Sequence, residues 1–112
     1  MQDEFKNLKV AKVGDRQPAK IVQVDFGKAE EYRNDAYFEG LDNEEEARNA
    51  PSVRVTAENG AELVMAMPLG EYVSPKSKLG MYFRTYGGFP ETGQQVTTKV
   101  SESGYLEIVL EV

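Results

Sequence analysis

One helical pattern, with strand patterns on both sides of it, constrains the fold of this chain more than any other feature. Within residues 74–88, Ser74 suits a helix N-cap, and Pro75 suits the first helical position, where its missing N–H costs nothing. Gly87 suits a left-handed stop. The pattern predicts a helix over about 75–87, with one apolar face at spacing i, i+3, i+4, i+7 made of Leu79, Tyr82, Phe83 and Tyr86.

The clearest strand pattern is a hairpin, formed by residues 52–58 and 61–67 around Asn59 and Gly60. Asn-Gly is the strongest signal for a two-residue hairpin turn, because both central residues of that turn need positive φ. Apolar and polar residues alternate along both arms, as they do in a strand with one buried face. The residues that we expect to face the core are Val53, Val55, Leu63, Met65 and Met67.

Residues 18–32 predict a long strand or a bent pair of strands that precedes this hairpin. Val22, Val24 and Phe26 alternate with polar residues, so we expect these three side chains to face the core. Gly27 interrupts the alternation. A glycine at such a position is typical of a bulge where a strand bends from one side of a barrel to the other.

The last part of the chain predicts a second hairpin, formed by residues 94–101 and 105–112. Its expected inward residues are Val96, Val100, Leu106, Ile108, Leu110 and Val112. At the other end, residues 1–16 are mixed and polar. They predict either a frayed lead-in or a short lead-in strand, and this segment ends in a turn.

Residues 33–51 are the least regular part of the chain, and we interpret them as an acidic insert between strands. Asp42 and Asn43 are candidate caps for one or two helical turns over residues 42–48, whose acidic residues suit a first turn. Pro51 would end these turns.

The predicted order is a long bent strand, an insert, a hairpin, a helix and a second hairpin. Five strands with one helix between the third and the fourth resemble the OB-fold, a small, partly open barrel that binds oligonucleotides and oligosaccharides. The resemblance covers roughly residues 17–112 and rests on the order of elements alone. The chain is therefore expected to be mainly β, a single domain over residues 1–112 with an OB-like five-stranded barrel. An SH3-like or other small barrel is the alternative.

Composition narrows the possible functions. The 112 residues include no Cys and no His, which removes thiolate chemistry, the commonest general base and the commonest metal ligand. The net charge of −6 disfavours non-specific binding to duplex nucleic acid. No apolar run approaches the roughly 20 residues of a membrane-spanning helix, and the start of the chain lacks the layout of a signal peptide. A soluble cytoplasmic protein is expected.

Catalysis is not expected from the residues that remain. Ser74 and Lys78 are four positions apart, but helix capping accounts for Ser74, and no oxyanion site is visible. No glycine-rich phosphate loop is present. The acidic run of the insert lacks the spacing of a calcium-binding loop; it comprises Asp42, Glu44, Glu45 and Glu46. We interpret it as a solvated acidic face that binds no metal or other cofactor.

Binding of single-stranded nucleic acid is the function that the resemblance implies. Such barrels use the outer face of strands 2 and 3 and two loops, where Lys and Arg contact phosphates and aromatic rings stack on bases. Aromatic and basic residues are interleaved at the corresponding positions of this chain. The candidate site residues are Lys28, Tyr32, Arg33, Tyr37, Phe38, Arg54, Lys99 and Tyr105.

Each candidate also has a structural interpretation. Tyr37 and Phe38 would equally well fix the insert to the barrel, and Arg54 and Lys99 taken singly are typical of solvated surface charge. The acidic residues that share the first loop would repel phosphate. The alternative function is therefore a protein–protein interaction module or accessory subunit, which would contact a protein partner through the acidic insert or through an edge strand of the barrel.

Overall fold

The computed structural model of the protein describes residues 12–110, a range that contains five strands and four helices. The first seven elements in chain order are β1 Arg16–Lys28, α1 Ala29–Tyr32, α2 Asp35–Phe38, α3 Glu44–Asn49, β2 Pro51–Ala57, β3 Glu62–Ala66 and α4 Lys78–Tyr86. The last two are β4 Gln95–Val100 and β5 Leu106–Ile108. Most of the predicted lead-in, and the inward position predicted for Val112, lie outside the described residues.

The five strands close into a barrel in the order β1-β2-β3-β5-β4. The first part of β1 pairs with β4 and the rest pairs with β2, both antiparallel, while β3 and β5 meet in parallel. The prediction of a mainly β, five-stranded barrel with α4 between the third and fourth strands is confirmed. The arrangement is consistent with an OB-like barrel. No helix of the described residues is long and apolar enough to cross a membrane.

The inward face of β1 differs from the prediction. The register of β1 against β2 shifts between Ile21 and Gln23, so the bulge includes Val22 and not Gly27. Ile21 is buried before the bulge and Val22 is 51% exposed, whereas Val24 after the bulge packs against the core as predicted. The extra residue therefore explains why Val22 faces outward. Phe26 lies on the same side of the strand as Val24 but is 67% exposed near the far end of the strand, outside the core cluster.

The hairpin between β2 and β3 is confirmed, but its turn has three residues and not two. Ala57 N–H donates to the carbonyl of Ala61 across 2.8 Å, which places Glu58, Asn59 and Gly60 in the loop. Gly60 alone has positive φ, at 91°. This is the pattern of a type I turn followed by a left-handed residue.

Helix α4 begins three residues later than predicted. Its N-cap is Ser77, whose hydroxyl accepts from Gly80 N–H across 3.0 Å, and Ser74 instead accepts Ser77 N–H at its carbonyl in the preceding turn. A Cβ on Gly80 would overlap with the Ser74 carbonyl oxygen, so the glycine lets this turn lie directly against the helix. The predicted stop is confirmed, because Gly87 has φ 82° and its N–H donates to Phe83.

The apolar face of α4 closes the barrel as predicted. Leu79 and Tyr82 are fully buried, and Phe83 and Tyr86 are partly buried against the same core. Burial raises the pKa of Tyr82, whose hydroxyl stays neutral and donates to Gln94. The other buried members of the core are Ala19, Ile21, Val53, Val55, Ala57, Ala61, Met65, Val96 and Ile108.

The acidic insert contains the short helices α2 and α3. Helix α3 at Glu44–Asn49 confirms the helical turns predicted over residues 42–48, whereas α2 was not predicted. Arg48 of α3 organises the insert by pairing with Glu44 and with Asp35 of α2, both across 2.9 Å, and by lying 4.9 Å over the Phe38 ring. Phe38 is fully buried. Asn43, one of the two predicted caps, is the N-cap of α3, although its side chain makes no capping hydrogen bond. Pro51, predicted to end the helical turns, is the first residue of β2.

Candidate nucleic-acid interface

The outer face of β1 and β2 is occupied by a cluster of three side chains, Arg54, Asp25 and Tyr32, called here the Arg54 cluster. Arg54 pairs with Asp25 across 2.9 Å, and its guanidinium lies 4.9 Å from the centre of the Tyr32 ring. The hydrogen bond from Arg54, and a second one from Gln23, hold the pKa of Asp25 below its usual value. Arg54 thus already has both an anionic and an aromatic partner within the fold.

A glycine in β1 allows Tyr32 to reach this face. A Cβ on Gly27 would overlap with the Glu31 carboxylate and the Tyr32 hydroxyl. The Glu31 carboxylate also accepts Lys28 N–H across 2.6 Å, which closes the first turn of α1 against the strand. The short helix therefore folds over the β1–β2 part of the outer sheet face, beside the outer face of β2 and β3 on which nucleic acid is predicted to lie.

A groove lies between β3 and β5. The strands β3 and β5 pair at a single position, Glu62 with Glu107, and then separate. The resulting β3–β5 groove has a volume of about 500 Å3. Its walls combine apolar strand residues with three basic and two acidic side chains, and the charged residues are Arg33, Lys78, Lys99, Glu62 and Glu107.

The three basic residues come from three separate elements. Arg33 follows α1, Lys78 is the first residue of α4, and Lys99 belongs to β4. Lys99 lies 3.6 Å from Glu107. In contrast, neither Arg33 nor Lys78 has a carboxylate within 4.0 Å among residues 12–110. Burial lowers the pKa of Lys78, and the neighbouring charge of Arg33 lowers it further. Two like charges without a counter-ion attract an anion.

Arg33 also borders a second cavity, called here the tyrosine recess. The recess has a volume of about 310 Å3 and is lined by Tyr32, Arg33, Asn34, Ala36 and Tyr37. The Arg33 guanidinium lies 4.4 Å from the centre of the Tyr37 ring, and it donates to the carbonyl of Val64 across 3.2 Å. Tyr37 remains 55% exposed. One arginine therefore joins a cationic groove to an aromatic recess.

The structure brings together four of the eight predicted site residues: Tyr32, Arg33 and Tyr37 at the recess, and Lys99 in the groove. Arg54 is paired internally, and the fully buried Phe38 has no ring surface to offer a ligand, which supports its structural interpretation. The remaining two, Lys28 and the 73%-exposed Tyr105, lie on the surface and line neither cavity.

Lys78 and Asn34 were missed as site residues. The sequence marks Lys78 only as one of several basic residues in the helical segment, and Asn34 only as part of a turn. The contacts that give them a role come from the fold. Within residues 12–110, no three acidic side chains are grouped closely enough to hold a metal ion.

Comparisons with known proteins found no relative from which a function could be proposed, so the proposal below is based on the geometry of the site. No protein-family model, curated protein or solved structure matches this chain.

Proposed function

We propose that this protein is an OB-like domain that binds single-stranded nucleic acid without catalysing a reaction on it, and that the strand lies in the β3–β5 groove. The observation that carries the proposal is the pair Arg33 and Lys78, two neighbouring cations without a carboxylate partner in the described part of an acidic chain. Phosphate is the anion that such a pair fits when aromatic rings lie beside it.

The surroundings of the pair favour a single strand over a duplex. The groove holds three basic residues against two acidic ones, and the chain as a whole carries −6. That balance offers few phosphate contacts and repels an extended polyanion elsewhere. Exposed aromatic surface at Tyr37 instead suits an unpaired base, whose face is free to stack. The proposal includes a cytoplasmic location and requires no metal or other cofactor.

Titration of labelled oligo-dT and oligo-U at several salt concentrations tests this function. We expect binding at low salt that weakens as salt rises, because bound phosphates release counter-ions. Arg33→Ala should weaken binding of both strands. Lys20→Ala is the matched control, since Lys20 is exposed and lines neither cavity. Absence of binding at low salt, or equal losses in the two variants, would contradict the proposal.

A protein partner is the second candidate function, and it is favoured by the surface around α3. Glu45 and Glu46 are exposed and have no ion pair among the described residues. Glu46 lines an open recess of about 450 Å3 together with Leu69, which is 93% exposed. A basic segment with an apolar anchor would complement this surface.

Charge reversal separates the two functions. Glu45→Lys with Glu46→Lys should abolish capture of a basic protein partner and leave the groove intact. The melting temperature should fall slightly, because lysines in the first turn of α3 oppose the helix dipole. The second candidate is wrong if the double variant captures the same protein partners as the unmodified protein. Oligonucleotide binding should be only slightly stronger in this variant.

A further inference from the structure

We propose that the tyrosine recess binds one unstacked adenine of the strand, with Asn34 recognising the edge of the base. This inference rests on the proposed function and adds to it a sequence preference. The recess adjoins the β3–β5 groove at Arg33, which lines both cavities. A phosphate in the groove and the base attached to it would therefore both contact Arg33.

The recess has the surfaces that an unpaired base requires. Tyr32 and Tyr37 contribute aromatic rings, and Arg33 contributes a planar cation already stacked at 4.4 Å on Tyr37. Unpaired bases stack on such rings and guanidinium planes. The nearby carboxylate of Asp35 is engaged by Arg48 across 2.9 Å, which reduces its repulsion of a phosphate.

Asn34 supplies the group that would discriminate between bases. It is the N-cap residue of α2, yet its side chain makes no capping hydrogen bond and no other hydrogen bond within residues 12–110. Its backbone carbonyl accepts Tyr37 N–H across 3.0 Å, which fixes the turn and places the amide at the recess wall. An amide offers one donor and one acceptor side by side, and this pair matches N7 and the N6 amino group of adenine.

The other bases match this pair less well. Guanine presents two acceptors, O6 and N7, on the same edge and leaves the amide oxygen without a donor. Pyrimidines present a single polar group on the corresponding edge. The contact therefore lies on the Hoogsteen edge of the base, because on the Watson–Crick edge every base offers a donor beside an acceptor. A well-formed bidentate contact discriminates by about 1–3 kcal/mol, which corresponds to roughly 5- to 150-fold in affinity.

The test compares strands that differ at one base. Oligo-dT carrying a single central adenine should bind about tenfold more tightly than the same strand carrying guanine, cytosine or thymine there. Asn34→Ala should abolish this preference, so that the four strands bind with similar affinity. Asn43→Ala is the matched control, because Asn43 is also an exposed N-cap residue without a capping hydrogen bond and lies outside the recess.

A second readout separates recognition of the base edge from stacking. Replacing the central adenine by 2-aminopurine keeps N7 and the stacking surface but moves the amino group from C6 to C2, so the roughly tenfold preference should be lost. Tyr37→Leu should weaken binding of the adenine strand through lost stacking. Oligo-dT binding with no preference for adenine, or a preference that survives Asn34→Ala, would overturn the adenine subsite while the proposed function stands. Absence of binding by every strand would overturn both.

Discussion

Two cationic regions of the barrel differ in what their charges contact. In the Arg54 cluster, Arg54 is paired with Asp25 and covered by Tyr32. In the β3–β5 groove, Arg33 and Lys78 lie close together without a carboxylate within 4.0 Å in the described chain. Both regions contain a predicted site arginine: Arg33 from a loop that also carries Tyr32 and Tyr37, and Arg54 from the outer face of the second strand. The difference shows that a cation is available to a ligand only when the fold does not supply its counter-ion.

The largest expected effect tests the groove. Replacing Arg33 and Lys78 together by alanine should reduce oligonucleotide affinity about tenfold or more, because two phosphate contacts are lost. The slope of log affinity against log salt should become shallower by about 1.4, at about 0.7 per phosphate on a single strand. The melting temperature should fall only slightly, since the double variant breaks no ion pair in the described chain but removes the hydrogen bond from Arg33 to the Val64 carbonyl and the contact of Arg33 with Tyr37.

A double variant of Lys12 and Lys20, both exposed and outside the groove, matches this change in net charge. Fluorescence anisotropy of the two double variants side by side provides the measurement. If the control loses as much affinity as the groove variant, general charge and not the groove determines binding.

Arg54→Ala should have the opposite pattern. It removes the partner of Asp25 and the cation over Tyr32, so the melting temperature should fall measurably. Oligonucleotide affinity should stay within about twofold, because Arg54 makes no contact that a strand could use without first breaking the pair with Asp25. A loss of affinity similar to that of the groove variant would show that the outer sheet face binds nucleic acid after all.

Asp25→Asn should make Arg54 partly available to a phosphate. The substitution keeps the side-chain shape and removes the charge that neutralises Arg54. We expect about a twofold to threefold rise in affinity at low salt that disappears at high salt, where exposed charges are screened. Asp15→Asn, on an exposed residue outside both cationic regions, is the control for the change in net charge. Equal gains in the two variants would contradict the idea that Asp25 specifically occupies Arg54.

Much of the fold could be predicted because its signals are local. The alternation in β2 and β3, the glycine after the helix and the apolar face of α4 each lie within one element. The bulge at Val22 was not predictable in this way, because it depends on β1 passing from β4 to β2. The choice of Ser77 over Ser74 as helix cap likewise depends on a contact, that of Gly80 with the preceding turn.

The candidate site was only partly predictable for the same reason. Tyr32, Arg33 and Tyr37 are neighbours in sequence, so a short loop brings them together. Lys78 joins them only because β3 and β5 separate after one pair and leave the start of α4 facing Arg33. Arg54 is a residue type that binds phosphate, but its guanidinium is paired with the carboxylate of Asp25, which lies 29 positions earlier in the chain. Long-range pairing therefore decides which cations remain available.

The smallest expected effect concerns the dependence of binding on pH. Burial, and then Arg33, lower the pKa of Lys78, so Lys78 loses its proton at a lower pH than an exposed lysine does. A bound phosphate favours the charged form, hence affinity should fall over the pH range below the ordinary lysine pKa of about 10.4 in which Lys78 loses its proton. Because the pKa of Lys78 is lowered in the fold, the charge on Lys78 destabilises the unbound protein at pH values below that pKa. A bound phosphate offsets this destabilisation. Lys78→Arg should remove the fall in affinity, because arginine stays charged throughout this range.

Anisotropy titrations with oligo-dA, whose bases do not titrate in that window, provide the measurement. Lys20→Arg is the control, since Lys20 is exposed and lines neither cavity. A pH profile of Lys78→Arg that coincides with that of the unmodified protein would mean that Lys78 does not contact the strand. Arg33 would then be the only cation without a counter-ion that the described groove offers to a phosphate.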